Sequence, residues 1–374
     1  MKVVIASDSF KGAASARQAC ESIRKGILDV VPDANVSIKP MADGGEGTAD
    51  AMMVAHDGIW LRAIVTGPLM NSPVEAGYAW FESDKTALVE MAAASGLALL
   101  KTSDLNPLNT TTYGTGQLII RSLDRNPERI LLAVGGSATV DGGIGAATAM
   151  GWRFLDDKGK PVEPCGGALE NIHEIVPAQP GLLCDVEVLC DVDNPLTGKS
   201  GAAHVFGPQK GATAEMVERL DAGLQHLADL VRKNLGVEIE HVPGAGAAGG
   251  LAAGAIAFMN GRLVPGIDTV MSVVGLEREI KDADWVISGE GRFDSQSIRG
   301  KVVSGVVKLA SKSGVKVAVI AGQVDLSYRE SEEFGVDVML QANKPGESLE
   351  ESLRRTLENL RKTASEFAER YMFE

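Results

Sequence analysis

Residues 2–12 read KVVIASDSFKG, a continuous apolar run that ends in a polar loop. An unbroken apolar run of this length predicts a strand covered on both faces, as in a parallel sheet. Ser15 and Gln18 then form a capping-box pattern, and apolar residues recur at helical spacing until Pro32. The chain therefore begins with a strand, a loop and a helix.

The same alternation of strand, loop and helix recurs at both ends of the chain. Five predicted strands alternate with helices, at 2–6, 35–39, 284–288, 315–321 and 336–340. This alternation predicts an α/β fold: a flavodoxin-like doubly wound parallel sheet domain interrupted by a large inserted α/β domain. The first domain is predicted to comprise residues 1–58 plus 266–374, and the insertion residues 59–265.

The insertion has its own pattern of elements. Trp60–Phe81 is interleaved with aromatic residues and is interpreted as irregular β-structure. Residues 129–134 and 186–189 are apolar runs typical of buried strands, and residues 215–235 have the spacing of a long amphipathic helix. The insertion is therefore a second α/β body and not a long loop.

Composition excludes several classes of protein. The 374 residues carry a net charge of −14, which argues against a nucleic-acid or anionic-membrane partner. Hydrophobic residues at 45% and charged residues at 23% exclude a largely disordered chain. The four cysteines and five histidines lack the spacing of zinc ligands. No signal peptide or membrane span is predicted, so a soluble, cytoplasmic protein is expected.

Candidate ligand-binding residues follow from the strand ends, because ligands of open α/β sheets bind beyond the carboxyl ends of the strands. The loops selected in this way are rich in glycine and carboxylates. Without histidine or cysteine, they favour proton transfer, hydroxyl binding or Mg²⁺ ligation. The alternative, that Asp and Gly simply form turns here, stays open. The candidates are Asp8, Ser9, Lys11, Asp43, Gly44, Gly45, Glu46, Gly289, Glu290, Arg292 and Asp294.

Glycine clusters in the insertion offer backbone N–H groups that could hold a phosphate. The first, at 135–143, follows a predicted strand and opens a helix. The others, at 207–212 and 243–250, add a lysine and a second flexible backbone. The candidates here are Gly135, Gly136, Ser137, Ala138, Thr139, Lys210, Gly244 and Gly246.

Two near matches to nucleotide-binding motifs leave alternatives open. Residues 198–200 read GKS, but the first glycine of a P-loop is replaced by Asp193. Residues 244–249 match GxGxxG, which would suit an NAD-linked oxidoreductase acting on a hydroxy acid. A non-catalytic two-domain ligand-binding protein is a third interpretation.

Six ordered motifs resemble the bacterial type-I glycerate kinase family, over residues 1 to at least 301. They are SDSFKG at 7–12, ADGGEGT at 42–48, GGSAT at 135–139, DxxNPL at 191–196, GPQKGA at 207–212 and PGAG at 243–246. The resemblance implies ATP- and Mg²⁺-dependent phosphorylation of glycerate, usually at the 2-hydroxyl. It also implies an active site in the cleft between the two domains.

Phosphoryl transfer requires aligned reactants and neutralised charge, which assigns candidate roles. Lys11, Lys210, Arg292 and Lys301 are the candidate cations, with Lys11 also in the catalytic set. Asp191 is ranked first and Asp43 second for orienting or deprotonating the acceptor hydroxyl. Asp191 and Asp294 are the candidate Mg²⁺ ligands. The sequence leaves open 2- against 3-phosphorylation, the enantiomer, and monomer against homodimer.

Overall fold

A computed structural model describes residues 1–179, 181, 184–298, 301–344 and 346–373. Its strands are β1 (Lys2–Ile5), β2 (Asn35–Ile38), β3 (Gly58–Thr66), β4 (Pro73–Phe81), β5 (Thr86–Glu90), β6 (Arg129–Ala133), β7 (Arg153–Leu155), β8 (Glu174–Val176), β9 (Asp185–Leu189), β10 (Arg262–Val264), β11 (Trp285–Ser288), β12 (Arg292–Phe293), β13 (Lys316–Ala321), β14 (Gln323–Val324) and β15 (Val338–Gln341).

The α-helices are α1 (Ala16–Val30), α2 (Thr48–Ala55), α3 (Ala92–Ser95), α4 (Tyr113–Leu123), α5 (Ile144–Ala149), α6 (Ala202–Phe206), α7 (Ala214–Leu235), α8 (Leu251–Met259), α9 (Gly266–Val273), α10 (Leu276–Ile280), α11 (Val302–Ser313), α12 (Tyr328–Phe334) and α13 (Leu349–Tyr371). Short 3₁₀ turns lie at Leu97–Leu99, Thr102–Asp104, Gly166–Asn171, Pro208–Lys210 and Ala247–Gly250. No helix in the described ranges is both long enough and apolar enough to span a lipid bilayer.

The chain divides into two compact units. The first contains Met1–Asp43, Asp50–Asp57 and Ile267–Glu374, and the second contains Gly44–Ala49 and Gly58–Gly266. This division differs from the predicted boundaries chiefly at 44–49, which group with the second unit and not with the first. The physical reason is close backbone packing of the glycines in this segment, described below.

The first unit is built on a five-stranded parallel sheet in the order β15-β13-β11-β1-β2. Numbered within the unit, this is the order 2-1-3-4-5 of flavodoxin-like doubly wound folds. Val3 and Ile5 lie in one core with residues of α1 and α13. The alternate residue Val4 faces the opposite side and is equally buried. Both faces are covered, which explains why the strand sequences are uniformly apolar.

Helices α1 and α13 approach closely on that first face. A Cβ atom at Gly26 would lie 2.1 Å from the carbonyl oxygen of Arg361, so the contact requires glycine there. The helix begins as expected: the Ser15 side chain accepts from the Gln18 N–H, and Gln18 completes the capping box.

The second unit has a six-stranded sheet in the order β10-β9-β6-β5-β4-β3. The first four strands are parallel, and β4 and β3 extend the sheet antiparallel. One face packs against α4 and α8, and a second core surrounds α7.

The interpretation of Trp60–Phe81 as irregular β-structure is wrong. Strands β3 and β4 form a regular nine-residue antiparallel ladder, from Gly58 opposite Phe81 to Thr66 opposite Pro73. The period-2 pattern was hidden because Trp60 and Ile64, on the face away from the core, are as apolar as the residues that pack into the core.

Candidate active site

An acidic cluster lies at the carboxyl edge of the sheet in the first unit. The Asp8 N–H donates to the Gly289 carbonyl at 2.8 Å, and the Ser7 hydroxyl donates to the same oxygen at 3.0 Å. These bonds join the loops that follow the neighbouring strands β1 and β11. In a sheet of order 2-1-3-4-5, this pair of strands forms the topological switch point, where ligands of such folds bind. Asp8 and Glu290 therefore lie at the expected ligand position of this sheet.

The carboxylates of this cluster destabilise one another. Burial raises the pKa of Asp8 to about 7, with further upward contributions from Asp43 and Glu290, against a downward one from the Ser9 N–H. Burial also raises the pKa of Glu290, although Ser297 and Lys301 lower it. The Glu290 Oε1 atom is buried and has no hydrogen-bond partner among the described residues. A bound cation or a hydroxyl donor would reduce the repulsion between these carboxylates and would give the buried Glu290 oxygen a partner.

Lys11 and Asp43 accompany this cluster. The Met41 N–H donates to the Ser7 carbonyl at 3.0 Å, which anchors the segment leading to Asp43 beside the end of β1. The Lys11 side chain is exposed, and its positive charge lowers the pKa of Asp8 slightly. The structure thus brings together Asp8, Ser9, Lys11, Asp43 and Glu290 as expected from their strand-end positions.

The side chains of Arg292 and Asp294 are instead engaged by other groups of the protein, Arg292 by the distant Asp325 and Asp294 within its own loop. Arg292 Nε lies 2.5 Å from Asp325 Oδ2 and 3.5 Å from Asp294 Oδ2. Asp294 Oδ1 accepts the Gln296 N–H at 2.8 Å, as in a local turn. Arg292, the predicted cation, and Asp294, the predicted metal ligand, therefore both already have partners in the protein. Lys301 is the N-cap residue of α11.

The second unit presents a comparable strand edge. Glu90, Ala133, Leu189 and Val264 are the in-register last residues of its parallel strands. The Ala49 N–H donates to Glu90 Oε1 at 2.8 Å. The segment 44–49 therefore lies across this edge.

Three glycines allow that segment to pack against the edge. A Cβ atom at Gly44, whose φ is +83°, would lie 2.9 Å from the Leu189 Cβ. A Cβ atom at Gly135 would lie 2.5 Å from the Gly45 Cα. Larger residues would push the segment 44–49 away from the ends of β6 and β9.

The glycine-rich loop after β6 differs from the expectation of open N–H groups at a helix start. The buried Asp141 carboxylate accepts N–H groups of Gly143 at 3.0 Å and Gly145 at 3.3 Å, at the start of α5. It also accepts the N–H and hydroxyl of Thr112, both at 2.8 Å. Burial raises the pKa of Asp141, and these donors lower it. The helix start is therefore satisfied by the protein itself.

The exposed part of this loop is short. Gly136 is exposed and Gly135 half-buried, whereas Ala138 and Thr139 are fully buried. The Ala138 N–H donates to the Ser95 carbonyl at 2.9 Å. Gly135 and Gly136 thus remain the accessible phosphate-binding candidates of this motif, with the largely buried Ser137 beside them.

Lys210 is buried, contrary to the expectation of an accessible cation. Its Nζ donates to Ser137 Oγ at 2.6 Å and to the Thr139 carbonyl at 2.7 Å. Burial lowers the pKa of Lys210 to about 7, and Asp141 opposes this shift. Lys210 therefore supports the loop from beneath, and sequence reasoning could not anticipate a bond between residues 73 positions apart.

Replacing Lys210 by methionine should cost more stability at high pH than at neutral pH. The folded-state pKa lies below the ordinary value of 10.5, so the unfolded chain binds more protons between the two values. The contribution of Lys210 to the free energy of unfolding therefore rises with pH. The cost of Lys210→Met should increase by about 1–2 kcal/mol from about pH 7 to about pH 9, measured by chemical denaturation.

The exposed Lys199 supplies the control for this test. Lys199→Met should show no such slope, because the Lys199 side chain is exposed in the folded protein and loses no buried contact when it is replaced. A cost of Lys210→Met that is constant with pH would show that Lys210 is fully charged in the folded protein.

Gly244 and Gly246 serve close packing. Both are buried, and a Cβ at Gly246 would lie 2.3 Å from the Pro195 carbonyl oxygen. A Cβ at Gly249 would lie 1.9 Å from the Thr139 carbonyl oxygen. No strand precedes the motif, since residues 237–242 are irregular. The strand-turn-helix context of a dinucleotide fingerprint is missing, and the oxidoreductase alternative loses its support.

Asp191 lies just beyond the end of β9, on the edge that also carries Glu90 and Gly135. Its Oδ1 accepts the N–H of Gly266 at 2.8 Å, at the first residue of α9. The residue is exposed. Its carboxylate is thus positioned by a distant element and is not confined to its own turn.

Comparison with known proteins identifies the family of this chain. The model of the glycerate kinase family matches residues 3–372. The chain belongs to the glycerate kinase family. The resemblance inferred from the six motifs is therefore confirmed, and the chain is an enzyme of the kinase class.

Relatives within the glycerate kinase family match nearly end to end. A glycerate kinase of Halalkalibacterium halodurans is 45% identical over 94% of this chain and 93% of its own. A glycerate 2-kinase of Escherichia coli K12 is 42% identical over 96% of this chain and 95% of its own. The crystal structure of a candidate glycerate kinase 2 from Salmonella typhimurium LT2 covers 99% of this chain and 97% of its own, with a TM-score of 0.86 and 42% identity.

The sequence patterns of this glycerate kinase family member do not select Glu90 or Asp141 as candidate functional residues. Glu90 ends the otherwise apolar strand β5, and a lone carboxylate at a strand end is the signal that would have selected it. Asp141 precedes Gly142-Gly143 at a strand-to-helix turn, which is the pattern of a helix-capping residue. Within the described residues, no group of three metal-ligating side chains is close enough to hold one ion.

Proposed function

We propose that this enzyme transfers the γ-phosphoryl group of ATP to the 2-hydroxyl of glycerate, with Mg²⁺ as cofactor. The observation that carries the proposal is the cluster of Asp8, Asp43 and Glu290 at the switch point of a kinase-family fold. The 2-hydroxyl is chosen because one relative is a glycerate 2-kinase. The proposed location is the cytoplasm, where ATP is available as the phosphoryl donor.

The acidic cluster fits a magnesium ion. Within the described part of the chain, Glu290 offers a buried carboxylate oxygen without a hydrogen-bond partner, and the Asp8 carboxylate is destabilised by burial and by its acidic neighbours. Mg²⁺ in kinases is commonly held by one or two carboxylates together with phosphate oxygens, so a cage of three protein ligands is not required. Bound Mg²⁺ would neutralise charge on the phosphate oxygens. Glu290 and Asp8 are preferred over Asp294, whose carboxylate is used in its own turn.

The remaining residues take complementary roles. The N–H groups of Gly135 and Gly136 hold phosphate oxygens, because they lie on the accessible part of the glycine loop. Lys11 supplies the accessible positive charge beside Asp8. Asp191 orients the acceptor hydroxyl and takes its proton, with Asp43 as the second candidate. Its bond to Gly266 supports this role, since a base must be held in a fixed orientation.

Substrate discrimination tests this proposal. With MgATP, D-glycerate should be phosphorylated at least about 10-fold faster than L-lactate or glycerol, since each lacks one recognised group. L-lactate lacks the terminal hydroxyl, and glycerol lacks the carboxylate. ADP release in a coupled assay measures all three rates. Equal rates on glycerol and glycerate would show that no carboxylate is recognised.

A further inference from the structure

Strand β3 is the terminal strand of its sheet, and its backbone is open on one side. The Gly67 N–H bonds to the Ser72 carbonyl at 2.6 Å, which fixes the alternation of the β3–β4 ladder. It follows that the even-numbered residues of β3 direct their N–H and C=O groups away from β4. At the end of the strand, the Thr66 N–H is taken by Gln117 Oε1 at 2.7 Å.

Four backbone positions therefore remain available along this edge. They are Gly58, Trp60, Arg62 and Ile64, and no outward hydrogen bond is formed at any of them within the described part of the chain. A row of unpaired backbone groups is a template for a further strand.

The side chains on this strand are unusually apolar for an open edge. Ile64 is 67% exposed, Ile59 49% and Trp60 37%. The one charge, Arg62, lies 2.9 Å from Glu75 on β4, so its charge is balanced within the chain. Natural edge strands are normally protected by unpaired charges, prolines or bulges. Here three exposed apolar side chains and a neutralised charge favour a partner strand.

We propose that two copies of this chain pair through β3, antiparallel, about a two-fold axis at Leu61. In this register Trp60 lies opposite the partner's Arg62, and Gly58 lies opposite the partner's Ile64. All four open positions of each strand are then hydrogen-bonded pairs. The two Trp60–Arg62 pairs are cation–π contacts, and Ile59 is covered by the partner's Ala63 on the other face.

The sequence of β3 favours a second copy over an unrelated strand. Trp60 and Arg62 are two residues apart, so the axis at Leu61 forms each contact twice. Moving the axis by one residue, to Arg62, places two arginines opposite each other, which is unfavourable. The same shift also brings the occupied Thr66 opposite Gly58. The dimer resolves the choice between monomer and homodimer without involving the residues of the proposed active site.

Sedimentation velocity of the full chain tests the dimer. The wild type should sediment with twice the mass of one chain, with micromolar affinity expected because one strand edge is a small interface. Ile64→Lys should raise the dissociation constant at least about 10-fold. Val205→Lys is the matched control, since Val205 is also exposed in the second unit but lies on α6.

Two further tests, one on Ile64→Lys and one on Leu61→Cys, keep the result interpretable. Circular dichroism and kinase activity of Ile64→Lys should match the wild type, which shows that the variant folds. Leu61→Cys should form a disulfide between subunits, because opposed residues at a non-hydrogen-bonded position have Cα atoms about 4.5 Å apart. A wild type that is monomeric up to about 100 µM, or a dimer that Ile64→Lys leaves unchanged, would overturn the proposal. Cross-linking of Arg62→Cys in place of Leu61→Cys would overturn the register.

Discussion

Asp191→Asn should lower kcat by about 10²–10⁴-fold, with MgATP affinity nearly unchanged. Asparagine keeps the shape of the side chain and an oxygen that can accept the Gly266 N–H, so the start of α9 is preserved. It removes the negative charge that would orient the glycerate hydroxyl and take its proton. Steady-state kinetics with varied MgATP and glycerate separate the loss of turnover from a loss of binding.

A neighbouring carboxylate provides the control. Asp193 is also exposed and is two residues away, so Asp193→Asn changes the local charge equally and should keep near-normal kcat. If Asp191→Asn retains normal kcat and only melts at lower temperature, Asp191 merely anchors α9 and leaves the mechanism. A coupled shift of nucleotide affinity and Mg²⁺ requirement would instead assign it to the cation and contradict the proton-transfer role.

Asp8→Asn should lower activity by at least about 10²-fold and yet stabilise the folded protein. The folded-state pKa of Asp8 is raised from 3.8 to about 7, so the folded chain binds more protons than the unfolded chain between these values. The free energy of unfolding therefore falls as pH rises through this range. Asparagine does not titrate, so its advantage should be small at about pH 4 and reach about 2–4 kcal/mol at about pH 8.

Chemical denaturation in EDTA and in Mg²⁺ measures this effect. In EDTA the acidic neighbours are uncompensated, and the gain from Asp8→Asn should be largest. Added Mg²⁺ should stabilise the wild type more than the variant, because Asp8 is a proposed ligand. Asp33→Asn, at an exposed turn of the same unit, is the control and should be neutral. A variant that is destabilised at pH 8 with full activity would remove Asp8 from both the cluster and the site.

Much of the first unit could be predicted because its signals are local. The apolar runs around Val4 and Val319 reflect burial on both sheet faces, which any parallel strand between two helix layers requires. The Ser15 capping box and the glycine at 314 mark helix ends through bonds within a few residues. These features determine the strand order only together with the rule that parallel crossovers are right-handed.

The site could be predicted only in part, because its decisive contacts join distant residues. Strand-end position alone predicts Asp8, Asp43 and Glu290 as site residues, since the carboxyl ends of parallel strands share one edge. Lys210 looked like an exposed cation beside glycines, but it is enclosed beneath Ser137 and Thr139. Arg292 is likewise neutralised by Asp325, 33 positions away. Charge in a glycine-rich loop indicates proximity to a site, whereas accessibility depends on tertiary packing.

Phosphorus NMR of the product made from MgATP and D-glycerate shows directly whether this enzyme phosphorylates the 2-hydroxyl of glycerate. One new phosphate-ester signal, that of 2-phosphoglycerate, should appear at the rate at which ATP is lost. Enolase added without phosphoglycerate mutase should then convert the product directly to phosphoenolpyruvate. A product that enolase accepts only after phosphoglycerate mutase is added would contradict phosphorylation at the 2-hydroxyl, and the absence of any phosphoglycerate would contradict the proposed activity.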